Sequence, residues 1–426
     1  MARQDPRTSS EAQGGRDPLE TVTRTAGAPT GQAHGSTAVT RSSSADAGQP
    51  RRRRRIGWPA VLAGLAILCV LTVTATVLRA NGTLDAMVQA GTETSDAQEV
   101  TLGYFGNLTH GPALAGVEQG YFEQALGETE LNTQVFNTGP TTIEAMNSGE
   151  VDIAFMGPNP AINSFVQSGG ESVTIVAGAT SGGAQFIVSN DVAGPDDLAG
   201  RTFATPDFGG TQDVALRVWL QDQGYEVDTG SPDSVSITPM PSGQALQTFR
   251  QGAIDGFWGP QPWATRMTQE EGGQVLVDER DLWPDGRYPT TVLAVRTEFL
   301  QQHPQTVEKI LTGLEDSVDY LNTADQDQVI ETLNTGFENA RTEPLDPETI
   351  AGSLEAMEWT TDPMESTYAT LLENGVQAGT TQEASLDGFV DDSLINTVRE
   401  NRGMDPVGGE ISAAVLPATG SREDAA

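Results

Sequence analysis

The chain has 426 residues, of which 59 are acidic and 23 basic, for a net charge of -36. That balance excludes a nucleic-acid binder, because a polyphosphate partner demands a basic footprint. One cysteine (Cys69) and three histidines (His34, His110, His303) exclude an intrachain disulfide and leave no basis for a metal centre or cofactor built on several such ligands.

The charge is unevenly spread. Residues 1–55 carry ten Arg against five acids, residues 56–78 carry none, and residues 79–426 carry a net of -41. Segment 1–55 is rich in Gly, Ser, Thr and Ala. It has too few large apolar side chains to offset chain entropy and reads as a disordered, basic cytoplasmic tail. It ends in the run Arg51 to Arg55, followed by the 23 uncharged residues IGWPAVLAGLAILCVLTVTATVL at 56–78. A helix of about 20 such residues spans a bilayer, and the Arg run orients it with the tail inside. The segment reads as a membrane anchor or uncleaved signal. A signal cleaved after Val73-Thr74-Ala75 and lipidation at Cys69 stand as alternatives. Residues 79–98 read as a linker, which places the folded part outside the cytoplasm.

In chain order, a strand pattern covers Val100–Phe105, and a helix with Pro112 in its first turn stops at Gly120. A second strand is expected at Asn132–Phe136. A helix begun by Thr141, with Glu144 completing a capping box, stops at Gly149 before a strand at Val151–Phe155. Strands alternating with helices predict a mostly parallel sheet covered by helices. The unit then recurs. GEVDIAFMGPNP (149–160) matches GAIDGFWGPQP (252–262), and Ala113-Leu114 and Gly120-Tyr121 match Ala215-Leu216 and Gly224-Tyr225. Gly106 and Thr109 likewise match Gly209 and Thr211. Two β-α-β-α-β units, at 100–160 and 202–262, predict two α/β lobes. Helical spacing follows over 304–321, 326–339, 346–358 and 364–375, and residues 403–426 read as a disordered tail.

Ligands of such lobes bind at the carboxyl ends of the strands. The corresponding loops are Asn107–His110, Thr138–Thr141 and Gly157–Pro160 in one lobe, and Asp207–Asp213, Pro241–Gly243 and Gly259–Trp263 in the other. Several lead into helix N-termini, whose free N–H groups and dipole suit an oxyanion without any Lys or Arg. Gly209-Gly210-Thr211 is the best candidate. Asp152 and Asp255, matched between the copies, read as turn formers. A crevice lined with carboxylates would instead call for a cationic ligand.

The stretches GYFGNLTHGPAL (103–114), GPTTIEAMNSGEVDIAFMGPNPAI (139–162), ATPDFGGTQDVALRVWL (204–220) and DGFWGPQPWATR (255–266) make residues 100–320 resemble the extracytoplasmic solute-binding proteins of ABC importers. DERDLWPDGRYPTT (278–291) and FLQQHP (299–304) add to the likeness, which is to the aliphatic sulfonate, nitrate and taurine group. The resemblance implies a type II periplasmic-binding-protein fold: two α/β lobes joined by two crossing strands, here Ala184–Ser189 and Thr290–Val295. Lobe one would take 99–186 and, with the C-terminal helices, 290–402; lobe two would take 187–289. It also implies a monomer that captures a small oxyanion, most simply an alkyl sulfonate, and delivers it to a membrane permease. The family pattern carried onto this chain nominates Asn107, Thr109, His110, Thr138 and Asn159 in lobe one, and Ser181 and Gly182 at the crossing. In lobe two it nominates Gly210, Thr211, Gln212, Gln261 and Trp263. The chain departs from the pattern at Gly106 (often Pro), Gly210 (usually Asn) and Gln261 (commonly an acid). A neutral Gln261 disfavours an amino-sulfonate. No catalytic residue is nominated, since an enzyme on this fold would need a nucleophile–base pair or a metal set. A pyrimidine ligand stacked on Phe105, Phe208 or Trp263, and an enzyme or sensor built on the same fold, stand as alternatives.

Overall fold

The computed structural model describes residues 96–408. The basic tail, the apolar segment 56–78 and residues 409–426 lie outside the described residues. Among the described residues no helix is long and apolar enough to cross a membrane.

β1 (Glu99–Phe105) leads into α1 (Gly111–Glu118), α2 (Tyr121–Leu126), β2 (Glu130–Phe136), α3 (Gly139–Ser148), β3 (Ile153–Met156), α4 (Pro158–Ser168) and β4 (Val173–Gly182). There follow β5 (Ala184–Val188), β6 (Thr202–Thr205), α5 (Thr211–Asp222), β7 (Ser236–Pro239), α6 (Ser242–Arg250), β8 (Gly256–Pro260), α7 (Trp263–Glu271) and β9 (Gln274–Asp278). The chain then runs through β10 (Pro289–Arg296), α8 (Thr297–Gln302), α9 (Pro304–Thr323), α10 (Gln326–Asn339), α11 (Pro347–Leu354), β11 (Met357–Trp359), α12 (Tyr368–Gln377) and α13 (Ser393–Asn401).

Two sheets result, ordered β11-β4-β10-β3-β1-β2 and β7-β6-β8-β5-β9. The sequence repeat is a repeat of topology. β1 pairs in parallel with β2 and β3, and β6 does the same with β7 and β8. In each sheet the third strand of the unit then meets an antiparallel neighbour, β10 against β3 and β5 against β8. The paired carboxylates turn out to set register rather than form turns. Asp152 accepts the Thr101 N–H at 3.0 Å and pairs with Arg296 at 3.0 Å. Asp255 accepts the Thr202 N–H at 2.8 Å and pairs with Arg201 at 3.0 Å. A one-residue slip in either unit would break both bonds and turn each strand's apolar set to the wrong face.

Both faces of the first sheet are covered, so its central strands read as near-continuous apolar runs. Along β10, Leu293 and Val295 join the cluster under α1, α9 and α10, while Val292 and Ala294 join the one under α4 and α12. The second sheet is likewise packed on both sides, by Phe186, Phe203, Trp219 and Trp258 on one and Ala204, Leu246, Phe257 and Met267 on the other.

Several expectations are corrected. α3 begins at Gly139, not Thr141: Pro140 occupies its first turn, where a missing N–H costs nothing. The Thr141 hydroxyl donates back to the Thr138 carbonyl at 3.0 Å, so Glu144 completes no capping box. Neither expected crossing strand crosses, since β5 lies wholly in the second sheet and β10 wholly in the first. The chain changes sheets at Gly182-Gly183, whose left-handed φ values of 72° and 83° make the turn, and returns through residues 279–288. The segment 346–358 is helical only to Leu354 and ends in β11, which pairs with β4. Helix α13 has no counterpart in the sequence reading. It is tied down by a buried pair, Arg399 to Glu315 at 2.8 Å.

The return segment buries Glu279, which accepts a hydrogen bond from the Trp258 indole at 2.8 Å. Burial outweighs that bond and pushes its carboxyl up to about 7. A carboxyl raised on folding stabilises the fold fully below its unfolded value and loses that contribution as pH rises through the folded value. The loss accrues at up to roughly 1.4 kcal/mol per pH unit. Glu279→Gln, which keeps the acceptor for Trp258, is therefore expected to unfold at higher urea than the parent at pH 8 and at nearly the same urea at pH 4.5. An equal difference at both values would contradict the assignment.

Candidate functional site

Parallel strands put the following helix starts at one edge of the sheet, and here the two edges face each other across a narrow cleft. The first lobe lines it with Phe105, Asn107, Thr109 and His110 from the end of β1, Asn137 and Gly139 at the start of α3, and Gly157 and Pro160 at the start of α4. Thr290 and Thr291 of β10 complete that wall. The second lobe contributes Pro206, Asp207, Gly210, Thr211 and Gln212 before and within the first turn of α5, Ser242 at the start of α6, and Pro260 at the end of β8.

The four helix starts share one property. The residues before them, Thr138, Gly157, Gly210 and Pro241, make no side-chain cap bond. An α-helix leaves its first N–H groups without intrahelical partners, and the macrodipole makes that end positive. The cleft is thus ringed by partial positive charge and by helix-start donors, fewer at α3 and α4, whose first turns hold Pro140, Pro158 and Pro160, although no Lys or Arg lines it. The Thr211 hydroxyl is buried with no partner among the described residues.

His110 is buried and stacks on Phe105 at 4.4 Å between ring centroids. Its Nδ1 accepts the Phe105 N–H at 3.2 Å, so the neutral ring carries its proton on Nε2. Burial lowers its pKa to about 3, which keeps it neutral near pH 7. Asn107 and Thr109 are bonded to each other, the threonine hydroxyl donating to Asn107 Oδ1 at 2.7 Å. One carboxyl, that of Asp207, lines the cleft. Asp207 is raised to about 7 by burial and, secondarily, by nearby Asp213. Asp213 itself is buried and paired with Arg217 at 2.8 Å.

Of the nominated residues, Asn107, Thr109, His110, Gly210, Thr211 and Gln212 come together on the cleft wall. The other six do not line it. Thr138 sits between two residues that do, with its hydroxyl 2.9 Å from that of Thr141. Asn159 turns into the first lobe and donates to the Leu371 carbonyl at 3.3 Å. Ser181 and Gly182 belong to the turn between the sheets, where the Ser181 hydroxyl accepts the Tyr288 N–H at 3.3 Å. Gln261 is fully buried; its Oε1 accepts the Thr265 N–H at 3.1 Å and its amide donates to Gln185 at 3.3 Å, so it serves the start of α7. Trp263 packs on the second-lobe core beneath Arg266, which itself pairs with Glu270. Phe105, offered as a stacking surface, and Ser242, inside the Pro241–Gly243 loop, both line the cleft; the reading missed Asn137 and Pro206, each beside a loop already picked out, and Thr290 and Thr291, which it took for a crossing. Asp207 stood inside a loop already singled out.

The lobes touch across the cleft. The Leu108 N–H donates to the Gln261 carbonyl at 3.2 Å, and a Cβ added to Gly157 would lie 2.5 Å from Thr211 Oγ1.

This architecture, two lobes closing on a polar cleft of helix N-termini, is that of an α/β periplasmic-binding-protein fold. The chain belongs to the NMT1-like family, whose model matches residues 69–334. The taurine-binding periplasmic protein of Escherichia coli (strain K12) is 26% identical over 215 residues, covering 50% of this chain and 63% of the relative. The bicarbonate-binding protein CmpA of Synechococcus elongatus is 24% identical over 249 residues, covering 53% and 54% respectively. The chain thus spans about 54–63% of the length of these curated relatives. Among solved structures, the nitrate-binding protein NrtA of Synechocystis PCC 6803 superposes with a TM-score of 0.61 at 15% identity, covering 72% of this chain and 89% of that one. The alkanesulfonate-binding protein SsuA of Xanthomonas axonopodis pv. citri gives 0.57 at 18% identity, covering 70% and 99%. At such identities these two likenesses establish the fold.

Gly157→Val is expected to hold the lobes apart. Overpacking costs about 1–3 kcal/mol, enough to offset one or two of the interlobe hydrogen bonds at roughly 0.5–1.5 kcal/mol each. Small-angle scattering should show a larger radius of gyration with an unchanged far-ultraviolet spectrum. An unchanged radius would mean that the contact closes nothing.

Proposed function

We propose that this chain is the extracytoplasmic solute-binding component of an ABC importer. In this reading it captures a small oxyanion, most simply an alkyl sulfonate, in the cleft between its lobes and delivers it to a membrane permease. The observation that carries the reading is the convergence of four helix N-termini, all lacking side-chain caps, on a cleft without Lys or Arg. Such ends hold anions by backbone N–H groups and dipole alone. The ligands after which the relatives and structural neighbours are named (taurine, bicarbonate, nitrate, alkanesulfonate) are small and carry negative charge, which agrees with it. Ligand contacts are assigned to Asn107, Thr109, His110, Gly210, Thr211 and Gln212. We further propose that residues 56–78 anchor the chain with residues 1–55 inside the cell, that residues 79–98 act as a linker, and that the protein works as a monomer without catalysis.

Calorimetric titration of the full chain with ethanesulfonate, nitrate, bicarbonate and taurine tests the reading. At least one anion is expected to bind, and Thr211→Val should weaken it about tenfold, the usual worth of one hydrogen bond to a charged group. Binding of none of them, or of cationic amines instead, would sink it.

A further inference from the structure

An acceptor that faces a bound anion repels it unless it carries a proton. Asp207 is the one carboxyl on the cleft wall. It precedes Gly210, the residue before α5, and packs so closely on it that a Cβ there would lie 2.7 Å from Asp207 Oδ1. Its Oδ2 is buried with no partner among the described residues. No basic side chain compensates it: the nearby Arg217 is engaged by Asp213 at 2.8 Å and Asp228 at 3.1 Å. The titratable and charged groups around Asp207 are therefore Asp213 and Arg217 on its own lobe and His110 on the opposite wall. His110 is neutral throughout the range above pH 6, because burial holds its pKa near 3.

We propose that Asp207 is a ligand-binding group that acts as a neutral acid, donating its carboxyl proton in a hydrogen bond to the oxyanion, so that the anion enters the cleft together with one proton. The inference rests on the oxyanion reading and extends it. The proton comes from solvent and stays on the carboxyl, and no bond of the ligand is broken. Burial and Asp213 already raise the empty carboxyl to about 7, and a bound anion raises it further by repulsion.

The test is titration of the full chain with ethanesulfonate and with nitrate between pH 6 and 9, where both ligands keep a single charge. Affinity should fall about tenfold per pH unit above pH 7, close to 100-fold over the range. Repeating the titration in buffers of different ionisation enthalpy should count nearly one proton taken up per anion at pH 8. Asp207→Asn, which keeps a donor, should abolish the slope and bind more tightly than the parent at pH 9. Glu279→Gln, which removes the other carboxyl raised to about 7, should leave the slope in place. Anion binding that is flat with pH in the parent, or that tightens as pH rises, would overturn this inference alone. Failure of every anion at every pH would overturn the oxyanion reading and this inference with it.

Discussion

The structure depends on one geometric constraint: parallel strands deliver all their helix starts to the same edge. A β-α-β connection leaves the strand at its carboxyl end and enters the helix by its N-terminus, so each copy of the unit gathers uncapped N–H groups on one rim. This chain uses the unit twice and sets the rims face to face. The register that keeps them aligned is held by the same device in both lobes. Asp152 and Asp255 reach to the first strand of their unit and receive its backbone N–H, each backed by an arginine. A carboxylate with an N–H and a guanidinium to satisfy it costs little desolvation at the sheet edge and locks one register among several.

That arrangement makes the proposed anion site compatible with a chain of net charge -36. Long-range repulsion is screened within about 8 Å at physiological ionic strength. The local field comes from the dipoles and N–H groups at the rim, which work where water is excluded. Most arginines of the described residues are spent elsewhere, in pairs such as Arg217–Asp213, Arg250–Glu271 and Arg266–Glu270. Positive charge at the cleft is fractional and fixed in direction, so it selects by shape and hydrogen bonding more than by attraction.

The two-lobe fold was legible because its signals are local and repeated: Gly and Pro at helix ends, apolar strands, and one unit written twice. The strand crossings were not, because a strand's membership in a sheet is settled by its neighbours and not by its own residues. Ala184–Val188 looks the same in either sheet, and only the consecutive left-handed Gly182 and Gly183 decide that it follows the second. Helix α13 packs Ile395 and Val398 into the first-lobe core and pairs Arg399 with Glu315, and both contacts are to residues distant in sequence. In the cleft, spacing found the loops but not the side chains that face inward. Thr138, Asn159, Gln261 and Trp263 lie beside cleft residues yet point into helix starts and lobe cores, since a loop offers alternate residues to opposite sides. The missed Thr290 and Thr291 come from a return strand with no counterpart in the repeat.

The closed form follows from how the site is divided. Helix starts α3 and α4 belong to one lobe, α5 and α6 to the other, and a small anion touches both sets only when the rims meet. Without an anion, partial positive charges on the two rims repel, and closure is supported by the Leu108–Gln261 bond, the fit of Gly157 against Thr211, and the Thr349–Gln269 and Gln377–Asp222 bonds between the helices that flank the cleft. The anion proposed here would convert that repulsion into shared attraction and so bind the closed form better than the open one. A ligand shifts a two-state equilibrium only by such a difference in affinity. The turn at Gly182-Gly183 and the return through 279–288 are the covalent connections between the sheets, and they leave that equilibrium free to move. In the proposed function, delivery to a permease would require the same difference in reverse: contacts that favour the open form would weaken the site by separating its two halves, without altering any residue within it.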